Sequence, residues 1–114
     1  MLVVAKEIAT NIKGKAADSP DGLDGYVERL MQGEAVDGLW LLTVSEEDGR
    51  MFVLLSAREA RKPYYEVQRM KVVGMAFGER QAQLLLADML RKWMAQGESV
   101  LTWKRHCLDL EERV

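Results

Sequence analysis

The stretch Lys71-Val-Val-Gly-Met-Ala-Phe-Gly78, running straight into the amphipathic segment Glu79 to Gln96, decides the reading of the fold. Val72 to Phe77 carries no polar side chain, the pattern of a strand covered on both faces. Alternation assigns Val72, Gly74 and Ala76 to one face and Val73, Met75 and Phe77 to the other. The first set is small enough for a helix to lie close. In the following segment Ala82, Leu85, Leu86, Met89 and Trp93 form one stripe at helical spacing, opposite Gln81, Asp88, Arg91 and Lys92. Gly78 breaks the strand, and Gly97 suits the position just past the helix. Gly74 is therefore expected to tolerate no branched side chain. Lys71 is expected to reach solvent beyond the covered part of the strand.

Upstream, Leu39 to Ser45 and Met51 to Ala57 are rich in β-branched and aromatic residues, and Asp48-Gly49 between them is a strong hairpin signal. Before the hairpin, Leu2, Ala5, Ile8, Ala9 and Ile12 fall at helical spacing, which predicts a short amphipathic helix ended by Lys13-Gly-Lys15. Ser19-Pro20 reads as the start of a second helix with a Leu23, Tyr26, Val27 and Leu30 stripe, stopped by Gly33. The third strand spans roughly Val67 to Phe77, after a polar connection from Arg58 to Glu66. Ser99 to His106 reads as a last strand, and Leu108 to Val114 as a tail.

The expected class is α+β: a single mixed four-stranded sheet, built from a β-hairpin plus a β-α-β unit. One long helix packs on a face, and two helices precede the hairpin. Residues 1–114 are read as one domain, with 1–33 its helical part and 39–107 its sheet and main helix. The alternative is a ferredoxin-like sandwich, reached if Leu2 to Ile8 is a strand.

At 114 residues, with 48% hydrophobic and 30% charged side chains, the chain is able to bury a core without metals or disulfides. A single cysteine, Cys107, excludes an internal disulfide, and a single histidine, His106, excludes any multi-histidine metal site. The apolar start, Met1 to Ala5, is too short for a secretory signal core, and no stretch approaches a membrane span. A cytoplasmic, bacterial-type protein with no membrane association is expected. The net charge of −2 hides an uneven distribution. Residues 1–57 hold five basic against ten acidic groups, a net of −5, whereas residues 58–114 hold eleven against eight, a net of +3.

No constellation assigns catalytic, cofactor-binding or metal-ligating residues. Phe77-Gly78-Glu79-Arg80 has the outline of a phosphate turn, yet Glu79 repels anions there and the glycine spacing of nucleotide loops is missing. Asp18, Asp21 and Asp24 lack the alternate spacing of a calcium loop. His106 and Cys107, adjacent on a strand, would point to opposite faces and exchange no proton. Basic groups interleaved with Tyr64 and Tyr65 offer a nucleic-acid surface: Arg58, Arg61, Lys62, Arg69 and Lys71, extended by Lys104 and Arg105.

Three functions follow, in order. The first is a non-catalytic interaction or accessory protein whose partner is another protein or a second copy of itself, since three tryptophans and seven methionines supply ample apolar surface. The second is a nucleic-acid-binding module using residues 58–71. The third is an enzyme near His106, whose mark would be a concave pocket holding His106 with a carboxylate.

Overall fold

A computed structural model describes residues 2–10, 22–46 and 49–113. The turn at Lys13-Gly-Lys15, the Ser19-Pro20 helix start, Asp18, Asp21 and Asp48 lie outside them. The elements are β1 (Leu2–Thr10), α1 (Gly22–Met31), β2 (Leu39–Val44), β3 (Val53–Ser56), a 3-10 turn (Glu59–Arg61), α2 (Pro63–Glu66), β4 (Met70–Phe77), α3 (Glu79–Met94) and α4 (Val100–Leu108). The four strands form one mixed sheet in the order β1-β4-β2-β3. β4 pairs parallel with β1 and antiparallel with β2, and β2 pairs antiparallel with β3 as the hairpin signal required.

Both faces of the sheet are covered, so the architecture is α+β in three layers. Val27 and Leu30 of α1 pack with Val4, Leu39, Leu41, Leu55, Val72 and Met75 on one face. On the other, Ala82 and Leu85 of α3 meet Ala76, and Trp103 and Cys107 of α4 meet Leu42, Val44 and Val73. α1 ends at Gly33, whose φ of 93° is accessible to glycine at little cost. There the N–H of Glu34 reaches the carbonyl of Arg29 at 3.0 Å, a Schellman closure. Gly78, at φ 87°, makes the corner from β4 into α3.

Two elements differ from the sequence reading. Residues 2–10 are a strand, not a helix, and they supply the fourth strand in place of Ser99 to His106. The helical spacing arose from a break in the strand. Val4 pairs with Val72 and Ala9 with Gly74, so three surplus residues bulge out of β1 and scramble its alternation. Val100 to Leu108 is a helix, with Trp103 and Cys107 four apart and both buried. The strand reading followed Val100, Thr102 and Trp103, residues of high β propensity, and the 103/107 period outweighed it. The ferredoxin-like alternative required a β-α-β-β-α-β order. Although β1 is a strand, α2 between β3 and β4 is a single turn rather than a packed crossover helix, and helices cover both faces of the sheet instead of one, so the sandwich does not fit.

A second irregularity corrects the faces of β4. Leu42 pairs with Gly74 and Thr43 with Val72, leaving Val73 opposite neither. This bulge exchanges Val72 and Val73: Val72 joins the α1 face and Val73 the α4 face. Gly74, Met75 and Ala76 keep the expected sides.

Lys71 does not reach solvent. It is only 3% exposed, and its amine donates to the carbonyls of Leu108 at 2.5 Å and Leu110 at 2.7 Å. Glu112 lies 3.7 Å from the same amine and also binds Arg69. The Arg69 guanidinium, more than Lys71, holds the Glu112 carboxyl below its usual range. Residues 111–113 thereby run along β1. The Arg113 N–H donates to Val4 O at 2.7 Å, and the Lys6 N–H to Glu111 O at 2.6 Å.

A Cβ on Gly74 would sit 3.3 Å from Leu42 Cβ and 3.4 Å from Leu85 Cδ2, so the strand and α3 leave no room for branching. Gly74→Val should cost about 1–3 kcal/mol by overpacking, read as a lowered midpoint in a thermal melt; a melt at or above the parent's would refute the packing. Lys71→Met should also destabilise, by about 1–3 kcal/mol for acceptors left unpaired, rather than being neutral as a solvent-facing lysine would be. Urea unfolding measures it, and an unchanged midpoint would mean that the two carbonyl contacts carry no stability.

Candidate functional site

The two register breaks meet at Val73 from opposite sides, and β1 swings away from β4 over residues 5–8. Bulges of this kind are enriched beside functional sites. Between the swung-out strand and the helices α3 and α4 lies a recess of about 250 Å³. Its floor is Val73, Trp103 and Cys107, all buried. Ala9, Met89, Trp93 and Leu110 form the walls, and Glu7, Lys92, Gln96 and His106 the rim.

Helical geometry brings the pieces together. Met89, Lys92, Trp93 and Gln96 come from one side of α3 and its end, while Trp103, His106 and Cys107 come from adjacent turns of α4. The Trp93 ring is held by its N–H, which donates to Ser99 O at 2.9 Å and Thr102 Oγ1 at 3.1 Å. The His106 ring stacks on it with centroids 4.6 Å apart and planes 28° from parallel. Lys92 pairs with Asp88 at 3.0 Å, and Arg91 reaches the same carboxylate at 2.7 Å. The hydrogen bond from Lys92, followed by that from Arg91, keeps Asp88 below the ordinary carboxylate range.

The sequence reading placed His106 and Cys107 on opposite faces of a strand; on a helix both line one recess, together with the Glu7 carboxylate. Proximity does not make them a nucleophile and base. Burial pushes the Cys107 thiol up to about 12, and nearby Lys71 offsets this only in part. At neutral pH the sulfur is a protonated, buried packing atom. Among the described residues no group of three or more His, Cys, Asp or Glu side chains is arranged to hold a metal. No helix among them is long and apolar enough to cross a membrane.

The seven cations suggested for nucleic acid are not gathered as free groups. Arg61 donates to Leu30 O at 2.5 Å, closing the end of α1, and lies 3.5 Å from Glu66. Arg69 and Lys71 hold the tail through Glu112, Leu108 and Leu110. Lys104 donates to Arg50 O at 2.6 Å. Arg58, 3.7 Å from Asp37, remains exposed, as do Lys62 and Arg105. A larger hollow of about 720 Å³ between α1 and the tail is charged, yet its groups are mutually engaged: Lys6 with Glu111 at 3.7 Å, and Arg113 with Ala5 O at 3.2 Å.

Comparison of the chain with family models, with curated protein sequences and with solved structures found no match. Sequence reasoning missed Glu7, Trp93 and Lys92 as neighbours of His106. The signal was present in the four-residue spacing of Trp103 and Cys107, which only a helix turns to one side.

The raised Cys107 thiol gives a pH dependence with a definite sign. The unfolded thiol ionises near its ordinary 9.0 and the folded one at about 12, so its contribution is intact below pH 9 and is lost as pH rises from 9 to 12. Iodoacetamide at pH 8 should leave the native protein unlabelled and label it fully in denaturant. Rapid native labelling, followed by mass spectrometry, would contradict the buried, protonated thiol.

Proposed function

We propose that this chain is a non-catalytic interaction module of the bacterial cytoplasm, whose partner is a second copy of itself docked through the outward face of α3. The observation that carries this reading is an imbalance in α3. Nine of its sixteen residues are apolar, yet only Ala82 and Leu85 are fully buried. Leu84 and Met94 stand 51% and 52% exposed, with Ala87 exposed between them and Leu90 half-buried. A helix apolar over so wide an arc has more surface to cover than its own sheet provides.

A second copy fits because the outward stripe is close to palindromic. Leu84 and Leu90 lie three residues either side of Ala87, Gln83 and Arg91 four either side, and Arg80 and Met94 seven either side. Two α3 helices crossing antiparallel at Ala87 would set Leu84 against the other copy's Leu90. Arg80 would lay its aliphatic stem on the other copy's Met94. The small Ala87 side chain suits an approach of about 8–10 Å between axes. Such a contact is isologous, the same patch serving both copies. One helix pair falls at or below the usual interface range of about 1,200–2,000 Å², so association is weak and concentration-dependent.

A nucleic-acid role for residues 58–71 has less support, because Arg61, Arg69, Lys71 and Lys104 already serve internal contacts. Salt-dependent retention on heparin would revive it.

Light scattering over a concentration series should show the mass rising from 13.0 kDa toward twice that value. Ala87→Arg, which sets two like charges on the symmetry axis, should hold the protein monomeric with an unchanged circular dichroism spectrum. A strict monomer at every concentration, or an Ala87→Arg variant that still dimerises, overturns the reading.

A further inference from the structure

The recess at Val73 has a chemistry of its own, separate from the dimer face. At 100° per residue, Ala87 points to nearly the opposite side of α3 from Met89, so neither site uses the other's surface. Its volume of about 250 Å³ lies just below that of drug-sized pockets. At roughly 30 Å³ per water molecule it has room for a single-ring compound. The floor and walls are aromatic and soft: Trp93, Trp103, Met89 and Val73. They offer π faces and a thioether, and the buried floor of Val73, Trp103 and Cys107 carries no charged side chain.

The rim decides the charge. Lys92 is held to Asp88 at 3.0 Å, a carboxylate it shares with Arg91, and the His106 ring is laid against Trp93. Glu7, in contrast, has no hydrogen-bond or ion-pair partner among the described residues and lies at the mouth of the recess. Its bulged backbone, in the stretch where β1 leaves β4, is what carries it there. Glu7 is therefore the rim charge that has no partner among the described residues, and it stands above indole rings that attract cations. A carboxylate ligand would meet no unpaired cation there, and an amino acid would satisfy only its ammonium end.

We propose that this recess binds a small aromatic amine in its protonated form, the ring seated among Trp93, Met89 and Val73 and the ammonium held by Glu7. Phenethylamine is the probe, with 3-phenylpropanoate as its anionic counterpart of similar size. Titration should shift the Trp93 indole N–H resonance saturably with the amine, and the anion should bind several-fold to about tenfold more weakly, the scale of an exposed charge contact reinforced by an indole face. Glu7→Gln, an exposed change that leaves the core intact, should weaken the amine by a similar factor and leave the anion unchanged. Ala9→Leu, which fills the recess, should abolish both shifts if it folds. Equal binding of the two probes, amine binding indifferent to Glu7→Gln, or no saturable shift at all overturns the proposal. None of these outcomes bears on dimerisation.

Discussion

The amine of Lys71 is the contact on which the arrangement of this molecule depends. It sits on a central strand that is otherwise apolar, and burying a charge there is costly unless every donor is answered. The carbonyls of Leu108 and Leu110 answer two of its protons, and Glu112 supplies the counter-charge. Leu108 closes α4, so the cation also sits where the helix dipole is negative. One side chain thus fixes the end of a helix, the course of the tail and the covered edge of β1. The same anchorage sets Trp103 and Cys107 against Val73, which completes the floor of the recess.

The legible part of the fold was the part made by local rules. The hairpin followed from two β-rich runs around Asp48-Gly49, α3 from its five-residue stripe, and the buried character of β4 from six positions without a polar side chain. What misled was irregular pairing. Three surplus residues in β1 turned a strand's alternation into an apparent helical period, and one surplus residue in β4 exchanged the faces of Val72 and Val73. Lys71 was illegible for another reason. A lysine at the start of a strand reads as a solvent group, and its partners are backbone atoms nearly forty residues away, which leave no trace in composition. The recess was hidden for both reasons together, since it exists because the strand is irregular and α4 is a helix.

α3 shows how one helix serves three surroundings. Ala82 and Leu85 meet the sheet, Met89 and Trp93 wall the recess, and Leu84, Ala87 and Met94 face outward. An amphipathic helix has two sides; this one has a third, and the surplus of apolar residues over buried ones measures it. Asp88 and Lys92, paired at 3.0 Å, lie between the outward stripe and the recess on one side of the helix.

The position of β1 has a consequence for how the chain acquires its structure. β1 is far in sequence from its partners: Val72 and Arg113, which pair with Val4 on either side, come from distant parts of the chain. Sheet closure must wait for contacts of very large sequence separation, the kind that slow folding because loop entropy is lost before any pairing energy returns. Until then Leu2-Val-Val-Ala is a β-prone segment with both edges open, the kind of surface through which chains associate wrongly. The hairpin with β4 and α3 can assemble earlier, from sequence neighbours. The sheet is therefore closed last along β1, where segments distant in sequence meet.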